Sequence, residues 1–165
     1  MTGIIHDFST KEGVIKAIRW ECVSRGLTLK TQHAYVIATV AHETNDTFQP
    51  VREAYWLSED WRKKNLRYYP YYGRGYVQIT WDYNYAHYSE VLGVNLLKDP
   101  DICMRPPVAL YILVDGFKNG IFTGKKLTDY VNDKGTDFKN ARRCINGLDR
   151  AEDIAKRATA FLKQL

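Results

Sequence analysis

Thr39-Val40-Ala41-His42-Glu43-Thr44-Asn45-Asp46 is the stretch from which the rest of the chain is read. Just upstream and within it, Tyr35, Val36, Ile37, Val40 and Ala41 recur at helical spacing, which predicts a helix packed into the core and ending at Glu43. A carboxylate gains nothing structurally there, because the negative end of the helix dipole repels it and the adjacent apolar surface strips its water. Both effects favour the protonated form. A glutamate that keeps its proton near neutral pH is what a general acid requires. The bland alternative is a surface glutamate at a frayed helix end. Metal ligation is discarded, since the zincin motif that begins His-Glu needs a second histidine where this chain has Asp46. No metal and no cofactor is expected.

Downstream, Asn45 to Pro50 is turn-rich and leads into Val51-Arg52-Glu53-Ala54-Tyr55-Trp56, followed by a helix capped at Ser58. Glu53 therefore sits on a loop or helix edge, and a turn-rich connection from Glu43 can fold back to bring both carboxylates to one cleft. Arg67 to Tyr76 is too rich in Pro and Gly for a helix, and its glycines permit close backbone approach. Tyr76 to Trp81 alternates as a short strand that places Gln78 and Thr80 on one side. Asp82 is positioned to cap a helix from Tyr83 to Leu92, with Gly93 as its stop.

Toward the N-terminus, Ser9-Thr10-Lys11-Glu12 has the spacing of a capping box, opening a helix that runs to Gly26. Thr31 is the expected cap of the Glu43 helix. Toward the C-terminus, Pro106-Pro107 suit a helix start, and the nearly continuous apolar run Val108 to Phe117 predicts the most buried helix. It is too short to span a bilayer. A short helix near Leu127 to Val131, a turn at Asn146-Gly147 and a last helix opened by Asp149 to Glu152 complete the chain. There are no internal repeats, low-complexity segments or linkers, so the reading is mostly helix with at most a small sheet.

At 165 residues the chain has the length of one domain, and residues 1–165 are read as a single catalytic domain with no separate wall-binding module. Cys22, Cys103 and Cys144 are odd in number and lack a Cys-x-x-Cys pattern, which predicts reduced thiols. Met1 to Phe8 has neither a basic n-region nor a long apolar run, so no signal peptide is expected. A net charge of +5 suits a polyanionic partner: nucleic acid, an anionic membrane or the acidic polymers of a bacterial envelope. Nucleic acid is the weaker choice, because the charges are dispersed and no RNP1 or Cys/His finger pattern is present.

His42-Glu43-Thr44, Gly73-Arg-Gly-Tyr-Val-Gln-Ile-Thr80 and Tyr83-Asn-Tyr85, in that order, resemble glycoside hydrolase family 19 in its short form found as phage endolysins. Leu97 to Asp101 and Ile145-Asn-Gly147 resemble later family segments. The resemblance implies a mainly α, lysozyme-like fold of two lobes around a cleft. It also implies Glu43 as general acid, Glu53 as the base that activates water, and Thr80 as the hydroxyl that helps hold that water. Glu59 is the fallback base. Gln78, Tyr83 and Asn84 resemble cleft residues, with Asn146 and Arg157 as contributors from the C-terminal part. His42 either positions a carboxylate or is hydrogen-bonded structure, and Arg74 either pairs with a carboxylate or anchors its loop. An inverting mechanism would set the carboxyl groups about 6.5 to 9.5 Å apart. The implied activity is hydrolysis of β-1,4 bonds in bacterial peptidoglycan, with chitin as the nearest alternative and a non-catalytic binding module as the alternative from another class. In that setting a monomer accumulates in the host cytoplasm and reaches the wall with a holin-type membrane permeabiliser.

Overall fold

Ten consecutive residues, Gln32 to Ala41, are buried within the helix that ends at Glu43. The computed structural model describes residues 5–165; Met1 to Ile4, the start of the N-terminal stretch read above, lie outside them. Its helices are α1 (Lys11–Ser24), α2 (Lys30–Glu43), α3 (Glu59–Asn65), α4 (Asp82–Leu92), α5 (Pro106–Asn119) and α6 (Ala151–Leu162). α2 is the axis of the molecule: α6 lies along it, and α1 packs against both α2 and α5.

The sequence of α2 explains that position. Small and apolar residues occur on every side of the helix, so no face is suited to water. Its polar members are satisfied internally. Gln32 accepts from the Leu29 N–H at 3.1 Å and donates to the Val131 carbonyl at 3.0 Å, while Thr39 donates to the Tyr35 carbonyl at 3.0 Å. Thr31 is therefore not the cap: the helix starts after Leu29, and Gln32 reaches back to its free N–H. The expectation that the Val108 to Phe117 run is the most buried helix is likewise corrected. In α5 eight residues are buried, and Tyr111 and Lys118 turn part of its surface outward.

Three other caps shift by a residue, one of them at α4, where Asp82 is the first helical residue and Trp81 holds the cap position. Thr10, not Ser9, caps α1 by accepting from the Gly13 N–H at 3.0 Å, because Ser9 is held by the Asp7 carboxylate. Arg150, with φ 60°, precedes α6 in place of Asp149, whose carbonyl accepts from Arg142. Glycines in left-handed backbone end α4 (Gly93, φ 68°) and α5 (Gly120, φ 69°), as their positions in the sequence predict.

Strand structure is slight. β1 (Val51–Arg52) pairs antiparallel with β2 (Arg74–Gly75), and β3 (Val131–Asn132) with β4 (Gly135–Thr136). The strand expected at Tyr76 to Trp81 does not form. Gln78 and Trp81 adopt positive φ (63° and 71°), which breaks the pleat, and only Ile79 bridges back to Arg74. The β1–β2 register, Val51 with Gly75 and Arg52 with Arg74, matters more than its length. It continues one step further to set Glu53 opposite Gly73, where the Glu53 N–H donates to the Gly73 carbonyl at 2.7 Å.

All three cysteines are buried free thiols, pushed up to about 12 by burial. No helix among the described residues is long and apolar enough to cross a membrane.

His33 gives the fold a pH dependence. Its Nε2 lies 2.7 Å from the Leu27 carbonyl and its Nδ1 accepts from Arg19 at 3.3 Å, so the buried ring is neutral. Burial holds it below the ordinary histidine range, with Arg19 adding to that effect and the Leu27 carbonyl opposing it. The unfolded chain therefore takes up a proton, at about pH 6.5, that the native chain refuses. This contribution to stability is present above that pH and is lost as the pH falls toward the lowered native value. Thermal melts between pH 7.5 and about 5 should show Tm falling with acidification, and His33→Gln should flatten the fall. An unchanged slope in the variant would remove His33 as the cause.

Candidate active site

The last turn of α2 brings Glu43 out of the core into a cleft of about 340 Å³. Its side chain remains only 17% exposed and accepts from Arg142 Nη1 at 3.2 Å. Arg142 is itself buried and fixed by a second bond, from Nε to the Asp149 carbonyl at 2.8 Å. The carboxylate is thus oriented from a helix end on one side and by a rigid guanidinium on the other.

The opposite wall comes from the segment that refuses to be a strand. Gln78, Thr80, Trp81, Tyr83 and Asn84 line the cleft, and Asn146 and Phe122 close it from the C-terminal part. The positive φ at Gln78 and Trp81 brackets Ile79-Thr80, so the core takes Ile79 while Thr80 faces the cleft. Gln78 is held by donating to the Val51 carbonyl at 2.9 Å, and Asn84 by donating to the Thr80 carbonyl at 2.9 Å. Gly73 leaves room beside them: a Cβ there would stand 2.7 Å from Gln78 Oε1 and would push that amide aside.

Glu53 is half-buried and is not among the residues lining this cavity. It accepts from the Gly73 N–H at 2.9 Å and from the Tyr68 hydroxyl, and Tyr68 packs against Trp81 with ring centroids 5.0 Å apart. Glu59, the fallback, is differently placed. It accepts from the Tyr69 and Tyr72 hydroxyls at 2.8 and 3.0 Å and pairs with Arg62 at 3.3 Å. Of the two, Glu53 is the one tied to residues that touch cleft-lining side chains.

Three further expected residues fall outside the cavity lining. Arg74 is buried, pairs with Asp101 at 2.9 Å and lies 3.8 Å above the Tyr72 ring, so it anchors the Tyr68 to Gly75 loop. Arg157 makes a two-pronged pair with Asp46 at 2.6 and 3.2 Å, tying α6 to the turn after α2. His42 sits beside them, half-buried. Burial holds its imidazole below the ordinary range, Arg142, Arg157 and Arg150 push the same way, and Glu43 opposes.

A family model for glycoside hydrolase 19, described as chitinase class I, matches residues 28–115, just over half of the chain. The chain belongs to glycoside hydrolase family 19. Among curated relatives, an endochitinase of Arabidopsis thaliana is 31% identical over 106 residues, covering 63% of this chain and 38% of its own length. The basic endochitinase CHB4 of Brassica napus is 28% identical over 149 residues, covering 87% and 52%. This chain therefore spans about half, or less, of the length of those two relatives. Chitinase C of Streptomyces griseus superposes with a TM-score of 0.64 over 99% of this chain and 78% of its own, at 19% identity, which establishes the mainly helical, lysozyme-like fold.

Within that family 19 frame, sequence reasoning missed Arg142, Trp81, Phe122 and Ile145 as cleft residues. Arg142 lies 99 positions from the carboxylate it meets, and no local pattern announces such a pair. The one usable signal was its place four residues before Asn146. Arg142→Gln should lower kcat about ten- to a hundredfold while KM moves little, because a hydrogen bond to a charged group is lost and sugar contacts are not. Steady-state kinetics check this, and an unchanged kcat would leave Arg142 a purely structural residue.

Proposed function

We propose that the protein hydrolyses β-1,4 glycosidic bonds of an N-acetylglucosamine polymer, with Glu43 as general acid and Glu53 as general base. The observation that carries the reading is the Glu43 carboxylate, fixed at the end of a helix buried from Gln32 to Ala41 and opening into a cleft lined by Gln78, Thr80, Asn84 and Asn146. Amide and hydroxyl side chains suit a saccharide, whose surface is hydroxyl and acetamido groups. Glu43 donates its proton to the leaving oxygen as the C–O bond breaks, becoming an anion in a desolvated site; Arg142 stabilises that anion. Glu53 takes a proton from the water that adds to the anomeric carbon from the opposite face, and Thr80 helps hold that water. The anomeric configuration inverts. Chitin is the substrate that the names of the relatives favour.

A second reading, a peptidoglycan hydrolase acting in phage lysis with a membrane permeabiliser, is favoured by the net charge of +5, which suits the acidic polymers of a bacterial envelope. One experiment separates the two. Purified peptidoglycan and soluble chitin oligomers are digested in parallel with wild type and Glu43→Gln, and the products are read by mass spectrometry and proton NMR. Wild-type-only cleavage of chitin oligomers, with the new reducing end appearing first as the α-anomer, supports the first reading. Cleavage confined to peptidoglycan supports the second. Cleavage of neither would return the protein to the class of binding modules.

A further inference from the structure

Trp81 is shared between two cavities. One is the cleft described above; the other, of about 240 Å³, is lined by Arg67, Tyr68, Tyr69, Tyr71, Trp81 and Asp82. The two adjoin along Trp81-Asp82-Tyr83, with Tyr83 lining the first and Asp82 the second. Trp81 is held at φ 71°, a backbone conformation strained for a bulky residue and one that glycine would adopt freely.

The chemistry of this second cavity is specific. The Tyr68, Tyr69 and Tyr71 hydroxyls are spent on Glu53, Glu59 and the Leu97 carbonyl, so these residues offer ring surface, the ordinary platform for a sugar. Polar recognition falls to Asp82 and Arg67. One oxygen of Asp82 accepts from the Tyr83 N–H, leaving the other for sugar hydroxyls. Arg67 forms no ion pair among the described residues; its guanidinium lies over the Trp81 ring, 5.2 Å from the centroid. A planar cation oriented by an aromatic face, with no carboxylate of its own, is prepared to bind one.

We propose that the cavity beyond Trp81 is a second sugar site that accepts a unit carrying a carboxylate, selected by Arg67. This rests on the second of the two readings above, the peptidoglycan hydrolase, and sharpens it, because a homopolymer of N-acetylglucosamine has no such group. The carboxylate belongs either to a lactyl ether on the ring or to a peptide attached there.

Binding is measured separately from turnover, in the Glu43→Gln background so that ligands persist. The probes are peptide-free strands of alternating N-acetylglucosamine and N-acetylmuramic acid, peptide-bearing strands, both again after methyl esterification, and chitin oligomers of equal length. Free-carboxylate strands should bind about tenfold more tightly than their esters, and adding Arg67→Gln should erase the difference. Which pair shows the difference tells the lactyl from the peptide carboxylate. Equal affinity for acid and ester in both pairs, or a preference that survives Arg67→Gln, would overturn the proposal. Arg67 is exposed, so the variant should fold, and circular dichroism checks that it does. If wild type cleaves none of these polymers, the hydrolytic reading fails while the binding comparison still decides the cavity.

Discussion

Glu43→Gln is expected to lower turnover by about a hundredfold to ten-thousandfold while leaving the fold intact. Glutamine keeps the size of the side chain and an oxygen to accept from Arg142 Nη1, so the contact that orients position 43 survives. What disappears is the proton. Without it the leaving oxygen must depart as an alkoxide, and the remaining catalysis is whatever the cleft gives by binding and by Thr80 and Glu53 holding water. Because the substitution adds no charge and opens no cavity, Tm should stay within a few degrees of wild type. Rates on chitin oligomers or peptidoglycan equal to wild type would sink the assignment of the acid.

The second large effect separates Glu53 from Glu59. Glu53→Gln should also cost on the order of a hundredfold or more in kcat, whereas Glu59→Gln should leave kcat within a factor of a few. The contrast follows from where the register and the helix put them. Glu53 is delivered by continuation of the β1–β2 pair to Gly73, with Tyr68 joining it to the Trp81 wall. Glu59 opens α3, where it favours the helix dipole and closes a local net with Tyr69, Tyr72 and Arg62. Its loss should therefore appear as a modest drop in Tm. If Glu59→Gln is the inactive variant and Glu53→Gln the active one, the water-activating role belongs to Glu59.

The parts of this molecule that were legible in the sequence are those decided locally. The 3.6-residue spacing before Glu43, the Ser58 cap and the glycines after α4 and α5 each act within one or two turns of chain, and each appears where the pattern puts it. The cleft wall at Gln78, Thr80 and Asn84 was legible for another reason: it resembled a family segment. Alternation alone misread that segment as a strand, since the two positive-φ residues that aim it at the cleft leave no trace in a polar/apolar pattern. Burial of α2 on all sides was hidden because Gln32, His33 and Thr39 look like a solvated face until their partners are known: the distant Val131 carbonyl and the nearby Leu27 and Tyr35 carbonyls. Arg74 illustrates the converse. Its position between two glycines suggested a role beside a carboxylate, and it does have one, but the carboxylate is Asp101 and the product is a fixed loop.

The pairing of Glu43 with Arg142 also bears on how the protein is made. The segment that marks the family ends at residue 115, yet the cation that holds the acid arrives 27 positions later, and the clasp between Asp46 and Arg157 later still. A ribosome that has just released the family segment has released a helix with a loose carboxylate and half a groove. The last helix must then travel back to lie along the second, a closure between distant parts of the chain that is among the slower events of folding. Order at Glu43 is thus withheld until residues 142 to 157 have been made and docked, so a chain that stops short of them carries the family segment without the contacts that fix its carboxylate.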